Sequence, residues 1–322
     1  MKLTRVKSEA VGVVSRQRPA RSSREAILWI APAALVILFI FGYSVVTVLV
    51  QSFRYDGDWV GFENFSIVIT DPIFLTALKH NGLLLLAVPV LITLAFILAI
   101  ALFETRRGMR FYRSAVFLPY VLPIPVVAVV FGQIYQLHGA LNIFFKSIGL
   151  EFLAKDWLGD PSIALGTMSS VIIWKEVGFG VILMLAHIIS LPNETYEAAR
   201  IDGAGFWRTH FSITRPAILN TIVFYGVIEA ITMVSWVFNY VYVMSNGLGG
   251  PGNATMVSEL YIYRSAFQNK APELAAAAAV FTSLNVQQLN FMSQSSSSSS
   301  SSLDIPLDVN IKGHVHMDSF SL

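Results

Sequence analysis

Five long apolar runs constrain this chain more than any other feature, at about residues 27–50, 81–103, 115–137, 163–189 and 218–243. Each is near or above the ~20 residues that an α-helix needs to cross hydrocarbon. The runs are continuously apolar and not alternating, which argues against a transmembrane β-barrel. Composition agrees, since 55% of the 322 residues are hydrophobic, only 13% are charged, and the mean hydropathy is +0.63. A soluble domain carries about 25% charged residues. The expected fold class is therefore all-α, a polytopic membrane protein with about six transmembrane helices. The sixth run is the weakest: residues 274–281 begin an Ala-rich stretch that Asn285, Gln287, Gln288 and Asn290 interrupt, ahead of an unbroken serine run at 295–302. The chain divides into a basic N-terminal segment (1–26), a transmembrane domain (27–281) and a Ser-rich tail (282–322) whose composition predicts disorder.

Basic residues set the expected orientation. Residues 1–26 hold seven Lys and Arg, 104–114 hold four (Arg106, Arg107, Arg110 and Arg113) and 190–217 hold three, whereas the alternate loops 51–80, 138–162 and 244–273 hold two each. Basic loops stay in the cytoplasm, so the N-terminus and the 190–217 loop are expected inside a cytoplasmic membrane. The first apolar run is too long for a secretory signal and lacks a small-x-small cleavage site, so it reads as a retained anchor. The net charge of +2 is explained by topology and implies no nucleic-acid partner. With no Cys, there is no disulfide, thiolate metal site or cysteine nucleophile.

The polar segment between the fourth and fifth runs carries helix signals. Pro192 suits a first helical turn, Asn193 and Thr195 are candidate caps, Glu194 and Glu197 favour the positive end of the helix dipole, and Gly203 suits a left-handed stop. A short helix at the membrane surface follows. Its small residues Ala198, Ala199 and Gly203 allow close approach of another protein, while Tyr196 and Ile201 offer it apolar bulk.

Polar and proline-rich positions inside the apolar runs mark a candidate path. Pro119, Pro123 and Pro125 each remove a backbone donor, so the third run is expected to kink or unwind. Freed carbonyls inside a bilayer are tolerated only against protein or a water-filled cavity. Lys175 and Glu176 follow Trp174 in the fourth run, and Glu229, Trp236 and Asn239 lie along the fifth at spacings that share one face of a continuous helix. An aromatic ring beside an amide and a carboxylate suits a sugar, by stacking and hydroxyl hydrogen bonds. The rival reading is that these residues are packing or inter-subunit pairing. Catalytic signatures are missing: the histidines are scattered, and there is no HExxH, GxxxxGK[ST] or GxSxG.

Glu197-Ala198-Ala199, three residues, Gly203, nine residues, Ile213 and then Pro216 resemble the EAA loop of the membrane-spanning subunits of bacterial ATP-binding-cassette importers. Arg215-Pro216 stands where that pattern usually has Leu-Pro. Residues 113–123, Gly139 with Asn142, Trp174-Lys175, Gly249-Gly250-Pro251, Thr255, Leu260, Tyr263 and Ala266-Phe267 extend the likeness to the carbohydrate branch of these permeases, over roughly residues 25–281. The resemblance, to the first of two paired subunits as in maltose-type, multiple-sugar and glycerol-3-phosphate importers, implies a permease subunit for a mono-, di- or oligosaccharide or a sugar-like solute such as glycerol 3-phosphate. The subunit is itself no enzyme and without a cofactor, served by ATP and Mg on a separate ATPase dimer. A second permease subunit, an extracytoplasmic solute-binding protein and membrane lipid are the other implied partners. It implies ATPase coupling through Glu197, Ala198, Ala199, Gly203, Ile213 and Pro216. It also implies a substrate path at Tyr120, at Lys175 and Glu176 after Trp174, and at Asn239, to which the residue pattern above adds Trp236, although the charged Lys175-Glu176 pair departs from the maltose-type pattern. A secondary transporter without an ATPase is the alternative, and it would require matched broken helices in two internal repeats.

Overall fold

A computed structural model describes residues 23–105 and 108–284. Most of the expected N-terminal segment and the tail from 285 onward lie outside the described residues. The chain separates into two units, divided after Val50. The first is represented by α1 (Ser23–Ser52), a single helix whose apolar side chains, among them Leu35, Phe39 and Phe41, are exposed. Its 30 residues extend about 45 Å at 1.5 Å per residue, enough to cross hydrocarbon.

The second unit opens with a two-residue hairpin, β1 (Arg54–Tyr55) and β2 (Asp58–Trp59), paired antiparallel as Arg54 with Trp59 and Tyr55 with Asp58. Helices α2 (Glu63–Thr70), α3 (Pro72–Leu85) and α4 (Ala87–Glu104) follow. The last two form one apolar span, Pro72–Glu104. That span begins earlier than its apolar run, because Asp71 caps it by accepting from the Ile73 amide at 2.8 Å and Pro72 needs no donor.

The proline-rich third run is two helices, α5 (Met109–Val121) and α6 (Ile124–Ile134), set at 94°. Leu122, forced extended by the proline that follows it, makes the corner. The expected break is thus present, and it is a sharp turn. Then come α7 (Ala140–Ser147) and the unbroken 27-residue α8 (Ala164–Ser190). The loop after α8 holds α9 (Asn193–Ile201), α10 (Phe206–Thr209), a π-turn at His210–Thr214 and α11 (Arg215–Ala217).

The fifth run differs from its expectation. It is α12 (Leu219–Ser235) and α13 (Phe238–Met244), interrupted at Trp236 with φ −122° and ψ −5°. The break cancels the helical register used to place Glu229, Trp236 and Asn239 on one face. α14 (Ser258–Tyr263) and the short apolar α15 (Pro272–Leu284) complete the described chain. Among the described residues, three helices are long and apolar enough to cross a membrane, or up to five if each bent pair is one span.

Apolar burial organises the second unit around α4 and α8, where Leu91, Ala95 and Ile100 meet Met168, Ile172, Met184 and Leu185. Tyr225 and Tyr240 add the largest fully buried side chains. Polar ties fix α3 to the segment before and within α14. Asn81 Oδ1 accepts from the Ser258 amide at 2.9 Å and its hydroxyl at 3.0 Å, and Tyr261 donates to Asp71 at 2.6 Å. Such bonds take over where apolar lipid offers helices little reason to associate.

Candidate functional site

Two features stand apart from ordinary packing, the 191–217 loop and a cavity between α5, α8 and α12. In the loop, α9 ends as its sequence predicts. Gly203 has φ +72°, its amide donates to the Arg200 carbonyl at 3.1 Å, and the Ala204 amide donates to the Ala199 carbonyl at 2.9 Å. This pair of bonds is the Schellman stop. The start differs from its expectation: Pro192 occupies the cap position, and neither Asn193 nor Thr195 caps the helix by its side chain.

The faces of α9 also divide differently from the expectation. Tyr196 and Ala199 are buried, so they anchor the helix and do not present it. Glu197, Ala198 and Gly203 are exposed, as is Ile201 at 87% of its surface. Ile213 is half-buried and Pro216 exposed. The Tyr196 ring packs on Phe103 of α4 at 5.3 Å, and its hydroxyl meets Thr214 Oγ1 at 3.2 Å. Thr214 in turn lies 3.0 Å from His210 Nδ1, and His210 Nε2 lies 3.4 Å from Glu104 at the end of α4. Because a carboxylate only accepts, a neutral His210 donates from Nε2 and receives the Thr214 hydroxyl at Nδ1. The wide π-turn brings His210 and Thr214 nearly above one another.

Replacing Thr214 by Val keeps the shape but strands the His210 nitrogen and removes the Tyr196 bond, a cost of about 1–3 kcal/mol. The expected result is faster amide hydrogen exchange across residues 193–217 with α8 unchanged. Unaltered exchange in the loop would mean that the chain of bonds does not hold it.

The cavity has a volume of about 690 Å³, within the size range of small-molecule sites. Tyr120, Lys175, Glu176 and Trp236 line it together with Phe117 and Thr232. Two of the sequence-predicted path residues fall outside that lining. Trp174 packs its ring on Phe131 at 5.0 Å, and Asn239, beyond the Trp236 break, is half-buried on α13. Lys175 and Glu176 pair with each other at 3.5 Å, both almost fully buried. Lys175 Nζ also donates to the Tyr120 carbonyl at 3.1 Å and sits 5.0 Å over the Tyr120 ring. Glu176 accepts from the Tyr240 hydroxyl at 2.8 Å. Tyr240 had no signal in the sequence, because the contact joins residues 64 apart. Among the described residues no cluster of His, Asp and Glu is arranged to hold a metal ion. The arrangement offers stacking and hydrogen bonding.

A helical bundle of apolar spans, with a partly polar cavity between them and a short surface helix outside them, defines the membrane-spanning subunit of a solute transporter. The model of the binding-protein-dependent transport system inner membrane component family matches residues 91–286, and the chain belongs to that family. It is 35% identical over 267 residues to NgcF, a diacetylchitobiose uptake system permease protein of Streptomyces coelicolor, covering 77% of this chain and 75% of the relative. LacF, a lactose transport system permease protein of Rhizobium radiobacter, is 31% identical over 79% of this chain and 86% of its own. Among solved structures, a bacterial ABC transporter for import of the acidic polysaccharide alginate superposes with a TM-score of 0.72 at 28% identity, over 84% of this chain and 96% of that one.

Proposed function

We propose that this protein is a permease subunit of an ATP-driven sugar importer. It pairs with a second permease chain, sits on two ATPase subunits that bind ATP and Mg, and receives solute from an extracytoplasmic binding protein. The N-terminus and the 191–217 loop face the cytoplasm, in keeping with the excess of basic residues in those segments. The carrying observation is the division of α9. Tyr196 fastens it to Phe103 of α4, Ala199 is buried, and Glu197, Ala198, Ile201 and Gly203 are left outward for a partner. Movement of the ATPases is passed through α9 to α4, which packs along α8, whose Lys175 and Glu176 line the cavity. Alternating access of that cavity moves the solute, with Tyr120 and Trp236 stacking on it. The sugar class rests on relatives such as NgcF and LacF together with the aromatic and hydroxyl-bonding lining. Asn239 and Trp174 belong to the path by resemblance alone.

Purification of the tagged chain from membranes is expected to bring down an ATPase and a second permease, and the reconstituted complex should hydrolyse ATP faster with binding protein and one sugar of a panel. Tyr120→Ala should lower that stimulation at least severalfold with complex yield unchanged. A chain that purifies without an ATPase, or a complex indifferent to every sugar, would sink the proposal.

A further inference from the structure

The charges around the cavity are arranged in a way that sorts sugars. Among the described residues Lys175 is the one cation that lines it, and its ammonium donates to Glu176 Oε1 at 3.5 Å and the Tyr120 carbonyl at 3.1 Å, with the Tyr120 ring 5.0 Å away. Arg110 and Arg113, also on α5, lie outside the lining, Arg113 one turn before the lining residue Phe117 with its buried Nε unpartnered among the described residues. Two acidic residues stand near Lys175. Glu176 lines the cavity, and Glu229, one residue along α12 from the lining residue Ile228, is 1% exposed with no hydrogen-bond partner for its Oε2. Glu229 is within electrostatic reach of both Glu176 and Lys175. Tyr240 orients Glu176 from behind at 2.8 Å, so the pair is held in place and Lys175 is not free to swing toward a ligand.

An anionic solute entering this space meets, among the described lining residues, only a cation already paired with Glu176, and it must lose water beside that carboxyl group. A neutral solute meets none of that. Its hydroxyls find the Thr232 hydroxyl and Glu176, and its ring faces find Phe117, Tyr120 and Trp236, the last exposed over 58% of its surface. We infer that this subunit selects uncharged sugars and rejects those bearing carboxylate, phosphate or sulfonate, with the Lys175–Glu176 pair as the discriminating element. The inference rests on the sugar-permease reading above. It also separates this chain from the transporter it superposes on, whose cargo is an acidic polysaccharide.

The test is equilibrium binding to the assembled complex in nanodiscs, with the binding protein omitted so that its own selectivity does not decide. The probes are neutral disaccharides and the same disaccharides oxidised at C6 to uronates, which changes charge and leaves ring shape. The parent that binds best should lose at least tenfold in affinity on oxidation. Glu176→Gln keeps an acceptor for Tyr240 but releases Lys175, and it should shrink that gap at least threefold by improving uronate binding. Glu229→Gln, a second variant on another helix, should shrink it in the same direction. Uronates that bind as well as their parents, or a gap that neither variant changes, would overturn the inference while leaving the sugar reading intact. If no disaccharide of either kind binds, the sugar reading itself fails, and this inference with it.

Discussion

Gly203→Val is expected to uncouple the transporter: ATP hydrolysis persists at or above its basal rate while solute movement falls at least tenfold. Space is not the reason, since a β-carbon at Gly203 would meet nothing within 4 Å. Backbone conformation is. At φ +72° the residue sits in the left-handed region, which costs an L-residue roughly 1–2 kcal/mol and a β-branched one more. Valine therefore leaves that region and gives up the two bonds that close α9, from the Gly203 and Ala204 amides to Arg200 and Ala199. The last turn carries Ile201, the most exposed apolar side chain of the loop. With the core α4–α8 contacts untouched, the complex should still assemble. Gly203→Asn, which tolerates the left-handed region, should retain most coupling. Glu197→Lys, which reverses an exposed charge on the same helix, should uncouple in the same assay. ATP consumed per sugar transported in proteoliposomes decides the matter, and a valine variant with wild-type stoichiometry would remove α9 from the coupling route.

The sequence was informative wherever one local property decided the structure. Continuous apolar runs identified the spans because a lipid-crossing helix must satisfy its own backbone. The Pro119, Pro123 and Pro125 cluster announced the break between α5 and α6, and Gly203 announced the end of α9. What remained hidden depended on neighbours distant in the chain. No glycine or proline marks the break at Trp236, so nothing local warned that Asn239 would leave the register of Glu229. Tyr196 was expected outward and turns inward, because a nine-residue amphipathic helix does not reveal which of its faces the rest of the protein will cover. The contacts of Glu176 with Tyr240 and of His210 with Glu104 join separate helices, and no periodicity reports them. The start of α3 was legible in Asp71-Pro72, yet the polar residues Lys79, His80 and Asn81 obscured it.

Gly178→Ala is expected to be the most damaging single-methyl addition in the contact between α5 and α8. The added carbon would stand 2.5 Å from the Val116 carbonyl oxygen and 3.4 Å from the Phe117 Cα, both backbone atoms of α5 that no rotamer change can move. The two helices must separate, an overpacking cost of about 1–3 kcal/mol. Separation reaches the site directly. Gly178 is one turn beyond Lys175, Val116 one turn before Tyr120, and the two helices run antiparallel here, so the Gly178–Val116 approach and the 3.1 Å Lys175–Tyr120 bond are adjacent rungs. Moving one opens the other. Small residues at helix contacts serve this purpose in membranes, where close backbone approach replaces the hydrophobic drive. Gly166 in the same helix is the control, since a β-carbon there would meet nothing within 4 Å, and its alanine variant gains helix propensity. In detergent-purified complex, Gly178→Ala should lower the thermal midpoint by several degrees and weaken sugar-stimulated ATPase activity, whereas Gly166→Ala should lower neither. Gly180→Ala should also be destabilising, because its β-carbon would overlap the Tyr225 ring and stand 2.8 Å from Ala95 Cβ, but α5 lies outside that contact. If Gly178→Ala were as stable and as active as Gly166→Ala, the close approach of α5 to α8 would not be what shapes the cavity.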